Sequence, residues 1–208
     1  MLTQSKSLLA SASIALLFTV APMFAEDHDD DNNKNNSLTF TMQVSAGAKT
    51  CLPKATAKVT ITPVGPVEIM EVAVSGLPAN TDFDFFVLQV PKAPFGVAWY
   101  QGDIETDKNG RGYARFMGRF NIETFAVAPG STAAPVVFNG PFPDASTNPS
   151  FNPIQMYHLG LWFNSPQSAS NAGCPATVTP FNGEHNAGIQ VLNTANFTDD
   201  AGPLRQLK

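Results

Sequence analysis

Residues 97–120 read VAWYQGDIETDKNGRGYARFMGRF, and this stretch decides the fold. At its centre, Asp107-Lys108-Asn109-Gly110-Arg111 is turn chemistry: Asp accepts bonds from the backbone just ahead of it, and Gly supplies a left-handed conformation. A three-residue loop, Lys108-Asn109-Gly110, fits a type I turn followed by a left-handed Gly. That register sets Asp107 opposite Arg111, Glu105 opposite Tyr113, Asp103 opposite Arg115, Gln101 opposite Met117 and Trp99 opposite Arg119. The other face carries Ala98, Tyr100, Ile104, Ala114, Phe116 and Phe120. One face is thus charged with opposite signs across the strands, and the other is mainly apolar. A two-residue Asn-Gly loop mixes the faces, so the three-residue register is preferred. Exposed Asp–Arg pairs contribute about 0.2–1 kcal/mol each, and Trp99 with Arg119 makes a cation–π contact of similar size. The Asp-x-Asn-Gly string lacks the further oxygen ligands and distal acid of a calcium loop, so it is read as turn chemistry.

Period-two alternation extends outward in both directions, and no window has a helical face. Strands are expected at 38–44, 57–62, 67–74, 83–90, 97–103, 112–120, 135–138, 154–163 and 188–192. Prolines and glycines punctuate them. Two stretches, 139–153 and 164–186, read as long irregular loops. About nine short strands with turns between them make an all-β, antiparallel β-sandwich or barrel.

Two turns carry a family likeness. Ser75-Gly76-Leu77-Pro78-Ala79-Asn80-Thr81 and Thr106-Asp107-Lys108-Asn109-Gly110-Arg111-Gly112 loosely resemble exported immunoglobulin-like or fibronectin-like modules. There a Gly-Leu-Pro-type turn precedes one strand and an Asp-x-Asn-Gly turn joins two others. The resemblance implies an immunoglobulin/fibronectin-like sandwich and no particular activity. The wide spacing of the two cysteines departs from the antibody-type bridge.

The N-terminus directs export. Lys6 precedes an apolar, small-residue run ending at Ala21-Pro22-Met23-Phe24-Ala25, the pattern of a secretory signal peptide. Residues 1–25 are assigned to it, with cleavage after Ala25. No second stretch of spanning length follows, so no integral membrane segment is expected after cleavage. The expected location is secreted or periplasmic. In that compartment the two cysteines, Cys51 and Cys174, pair as a disulfide. Neither has a local His or Cys partner that would activate a thiol.

The formal charge is −5, but five of the 17 acids lie in Glu26-Asp27-His28-Asp29-Asp30-Asp31. Residues 26–36 read as an acidic, Asn-rich disordered leader. Beyond residue 31 stand 12 acids against 11 Lys and Arg, so the single domain expected over 37–208 is near neutral. That excludes a nucleic-acid partner, which demands a basic surface. Asn35-Asn36-Ser37 and Asn196-Phe197-Thr198 are glycosylation sequons for a host that uses them.

No catalytic or phosphate-binding motif occurs, and no cofactor is implied. His158, His185 and Glu184, with Asp144, are the candidates for a metal or acid–base site; an ordinary strand His and an ordinary loop His compete with that reading. Aromatic residues offer the stronger hypothesis. Trp99 and Trp162 fall on the less apolar side of their strands, flanked by Arg115, Arg119 and polar residues. Such a surface suits a glycan or a partner protein, unless a loop buries it. The leading expectation is an exported, non-enzymatic binding or structural module. The runner-up is a small secreted hydrolase or metal-dependent enzyme built on His158 and His185.

Overall fold

In this computed structural model, which describes residues 37–127 and 153–208, alternation becomes strand. β1 (Leu38–Val44), β2 (Thr56–Val64) and β3 (Val67–Ser75) form an antiparallel meander. Phe40, Met42, Val59, Ile61, Met70 and Val72 are buried on one side, while Thr39, Thr41 and Lys58 between them are exposed. The chain continues through β4 (Asp82–Leu88), β5 (Ala98–Glu105) and β6 (Gly112–Gly118). β7 (Phe125–Val127) and β8 (Pro153–Gln155) make a two-stranded ribbon. Then come β9 (His158–Phe163), the short helix α1 (Pro166–Asn171) and β10 (Gln190–Asn193).

The main ladder runs β5-β4-β9-β10-β1-β2-β3-β6. All its pairings are antiparallel. β5 and β6, adjacent in sequence, therefore stand at opposite edges of one eight-stranded sheet. The sheet curls nearly into a barrel until those edges meet at the bridge between Thr106 and Gly112. Between β10 and β1 only Gln43 with Asn193 and Val44 with Leu192 are paired.

The turn of residues 107–111 forms as the sequence predicts. The Asp107 amide donates to the Arg111 carbonyl at 2.7 Å, and Gly110 is left-handed at φ 69°. Asp107 Oδ1 accepts from the amides of Asn109 and Arg111 at 2.8 and 3.0 Å. The hairpin ladder stops one pair beyond the turn, at Thr106 with Gly112. Asp103 lies opposite Asp84 rather than Arg115, Glu105 opposite Asp82, and Arg115 opposite Glu71. The reason is burial. β4 keeps Phe83, Phe85, Phe86, Val87 and Leu88 out of water, and each such side chain is worth about 1.5–3 kcal/mol, more than an exposed ion pair.

A bulge overturns a second expectation. Gly102 faces Phe85 and Tyr100 faces Phe86, so Gln101 has no partner across the ladder. Strict alternation puts Trp99 with Asp103. The bulge instead puts Trp99 on the inner side with Ile104, and Tyr100 on the outer side with Asp103.

The chain crosses between β3 and β4 and between β5 and β6 at the same end, and the two crossings clasp. Leu77 N–H donates to Gly110 O at 3.3 Å, Asn80 N–H to Asp107 O at 3.1 Å, and Thr106 N–H to Thr81 O at 2.9 Å. The buried Thr106 hydroxyl donates to Pro78 O at 2.7 Å and accepts from Thr81 N–H at 2.9 Å. A Cβ on Gly110 would lie 2.0 Å from Leu77 O.

Other expectations divide. Cys51 and Cys174 are bonded, with Cα atoms 5.3 Å apart across 123 residues of sequence. Cys51 sits in the turns after β1. The strand expected at 154–163 is two, β8 and β9. β7 and α1 were not expected: one has three residues, and the other has six and no apolar stripe. In α1, Ser165 caps the amide of Ser168 at 3.1 Å. Residues 1–36, the strand expected at 135–138, and Asp144 lie outside the described residues. Among the described residues no helix is long and apolar enough to cross a membrane.

Replacing both cysteines by Ser is expected to lower the unfolding free energy by about 2–5 kcal/mol in urea titration, with reductant doing the same to the native chain. Gly110→Ala is expected to lower it by about 1–3 kcal/mol or more, read as a lower melting temperature, because a left-handed residue gains a Cβ against Leu77 O.

Candidate functional site

Beyond the Thr106–Gly112 bridge no ladder joins β5 to β6. A groove of about 480 Å³ lies between them. Trp99 and Gln101 line it from β5, Met117 from β6, and Arg119, Glu123 and Phe125 from the segment after β6. Trp99 faces the inner side of the sheet, opposite Val87, yet is 59% exposed. Met117 and Phe125 are exposed as well.

The polar side of the groove is held from below. Buried Glu68 accepts from the Phe120 amide at 2.7 Å and from Asn121 Nδ2 at 2.9 Å. Asn121 Oδ1 in turn accepts from the Glu123 amide at 2.8 Å. Glu123 then pairs with Arg119 at 2.6 Å, and Arg119 also donates to the Pro66 carbonyl. Arg119 is thus fixed by Glu123 and Pro66, rather than by the stacking on Trp99 expected from sequence. Arg115 is exposed on β6 opposite Glu71 and does not line the groove.

Trp162 is elsewhere. It is fully buried on the outer face of β9, under a loop aromatic on each side. Its ring lies 5.1 Å from Phe95, 5.3 Å from Phe86 and 5.3 Å from Phe181, centroid to centroid. Gly160 makes room: a Cβ there would lie 2.3 Å from the Trp162 ring. The surface role expected for Trp162 is therefore corrected. Alternation along β9 cannot report that the loops before β5 and after α1 bring Phe95 and Phe181 over it.

The histidines do not meet. His158 opens β9 and is fully buried. Its Nδ1 is 2.9 Å from Thr194 Oγ1, and its Nε2 donates to the carbonyls of Thr198 and Asp199 at 3.1 and 3.2 Å. Burial holds its pKa below the ordinary histidine value. His185 and Glu184 lie in a loop tied to the other end of β9, where Asn182 Nδ2 donates to Asn164 O at 2.8 Å. The five steps between the ends of β9 rise roughly 17 Å. The fold therefore does not bring His158 together with His185 and Glu184. Among the described residues, no three His, Cys, Asp or Glu are placed to hold one metal ion.

A second cavity, of about 620 Å³, opens on the outer face of β4 and β5. Asp82, Asp84, Tyr100, Asp103, Phe181 and Glu184 line it. The bulge at Gln101 puts Tyr100 beside Asp103, and its hydroxyl donates to Asp103 Oδ1 at 2.5 Å. Asp84 is 1% exposed, and among the described residues its Oδ2 has no hydrogen-bond partner; neither does Asp82 Oδ1. Burial, then the charges of Asp103, Asp82 and Glu184, raise the Asp84 pKa from 3.8 to about 7. Burial, then Asp103, raises that of Asp82. Tyr100 is pushed up by burial and by its bond to Asp103. Asp82 and Asp84 were not expected from the sequence as site residues. Their signal was an Asp on each side of Phe83, in a strand otherwise wholly apolar.

Comparison with protein-family models, with curated proteins and with solved structures finds no match.

Folded Asp84 holds its proton more tightly than an unfolded aspartate does, so it lowers stability as pH rises from about 4 to about 7. Asp84→Asn removes that cost. In the unliganded protein the variant is expected to unfold at higher urea than the native chain near pH 8, by about 1–3 kcal/mol, with the advantage vanishing near pH 4.

Proposed function

We propose that this chain is an exported, non-enzymatic binding module whose groove between β5 and β6 receives a glycan. Trp99 carries the reading. It is a large aromatic face left open to solvent, with the polar groups of Gln101, Arg119, Glu123 and Thr124 around it. Sugar rings pair an apolar C–H face with a hydroxyl rim, and such a wall suits both. Glu68 and Asn121 fix the polar groups in advance, which lowers the ordering cost of binding.

Secretion or periplasmic residence belongs to the same proposal. It is supported by the signal-like N-terminus and by a disulfide that an oxidising compartment maintains. We read β1-β2-β3-β6 and β10-β9-β4-β5 as the layers of a flattened, sandwich-like barrel, in keeping with the immunoglobulin- or fibronectin-like turns. The hydrolase alternative lost its support with the separation of His158 and His185.

Glycan-array screening of the purified protein followed by titration of the best ligand tests the reading. Trp99→Ala is expected to weaken binding about tenfold or more, the equivalent of 1.4 kcal/mol. Arg115→Ala, outside the groove, should leave it unchanged. Equal affinity in Trp99→Ala, or no glycan retained by folded protein, would sink the proposal.

A further inference from the structure

The outer-face cavity is independent of the groove, and its chemistry is different. Two like-charged pairs stand directly opposite each other across β4 and β5, Asp82 with Glu105 and Asp84 with Asp103. Such pairs oppose sheet formation unless something lies between the charges. Glu184 adds another carboxylate from the loop above, and among the described residues no Lys or Arg lines the cavity. Asp84 and Asp82 each keep a buried carboxylate oxygen with no partner among the described residues. A buried acceptor left unpaired is costly, and the cost falls when a donor arrives.

We propose that this cavity binds an organic cation through a primary ammonium group bonded to Asp84, with Asp103 and Glu184 supplying the negative charge around it. An ammonium brings three donors and one positive charge, which answers the unpaired oxygens and the uncompensated acids together. Tyr100 and Phe181 wall the cavity, and aromatic faces attract a cation. The space, about 620 Å³, admits an alkylamine. Geometry also argues against a bare metal ion, since no three acids among the described residues converge on one point. The ammonium has two natural sources, a free amine and a lysine side chain on a partner.

Proton linkage follows. Asp84 is faced by Asp82 on its own strand, by Asp103 and the Tyr100 hydroxyl from β5, and by Glu184 from the loop that also carries His185. An ammonium displaces the proton of Asp84, so affinity should rise from about pH 6 to about pH 8.

Calorimetric titration of the whole chain in low salt would use three probes: putrescine, N-acetyl-lysine-N-methylamide and calcium chloride. Amine binding is expected, weakened by added salt and at least about tenfold weaker in Asp84→Asn and in Glu184→Gln. Tighter putrescine would identify a free amine as the source, and tighter blocked lysine a protein partner. Glu184→Gln changes an exposed loop position, so it decides the matter if Asp84→Asn fails to fold. The proposal is overturned by folded native protein that binds neither amine, or by variants that bind as tightly as the native chain. Affinity that does not rise with pH, or calcium binding that the amines do not displace, also overturns it.

Discussion

The clasp between the two crossover turns governs the rest of the structure. Thr106 and Gly110 bond to the segment Leu77-Pro78-Ala79-Asn80-Thr81 and hold β5 and β6 at one point. Both strands belong to edges of the same curled sheet, so this contact is what brings the ends of the ladder together. It needs a glycine at 110, because the Leu77 carbonyl occupies the place of a Cβ. It also joins the edges at one end only. Away from the clasp the edges are unpaired, and the groove lies between them. The opening beside Trp99 is therefore a consequence of how the sheet closes.

β5 is the strand that serves both sites. The bulge at Gln101 reverses the direction of its side chains partway along. Trp99 consequently faces the mouth of the groove, while Tyr100 and Asp103 face the acidic cavity on the other side. A regular strand would have sent Trp99 and Asp103 to one face. One inserted residue separates an aromatic surface from an acidic one.

The acidic cavity borders the outer aromatic cluster. β4 and β9 are covered on both faces, inside by the main core and outside by Phe95, Phe181 and the rings they meet. Asp84 lies in this second layer, opposite Trp162 on one side and Asp103 on the other. The layer removes water from Asp84, and that is the largest cause of its raised pKa. Burial, not proximity to one neighbour, sets its chemistry.

Local chemistry determined much of this protein. Alternation placed the strands, Asp107-Lys108-Asn109-Gly110 placed the decisive turn, and the presence of only two cysteines left one possible bridge. These depend on nearest neighbours or on simple counting, so they are legible along the chain. Which strand lies beside which is a different kind of fact. Pairing β5 with β4, and not with β6, is decided by apolar surface contributed from distant segments. The same is true of Trp162, which alternation assigns to a polar side and loops far away in sequence bury. His158 and His185 look like partners in a chain short of histidines, but β9 holds them at opposite ends. Asp84 reads as an ordinary strand acid until a register puts Asp103 across from it. Only the tertiary structure decided the sites, because each joins residues whose proximity comes from packing and not from spacing in sequence.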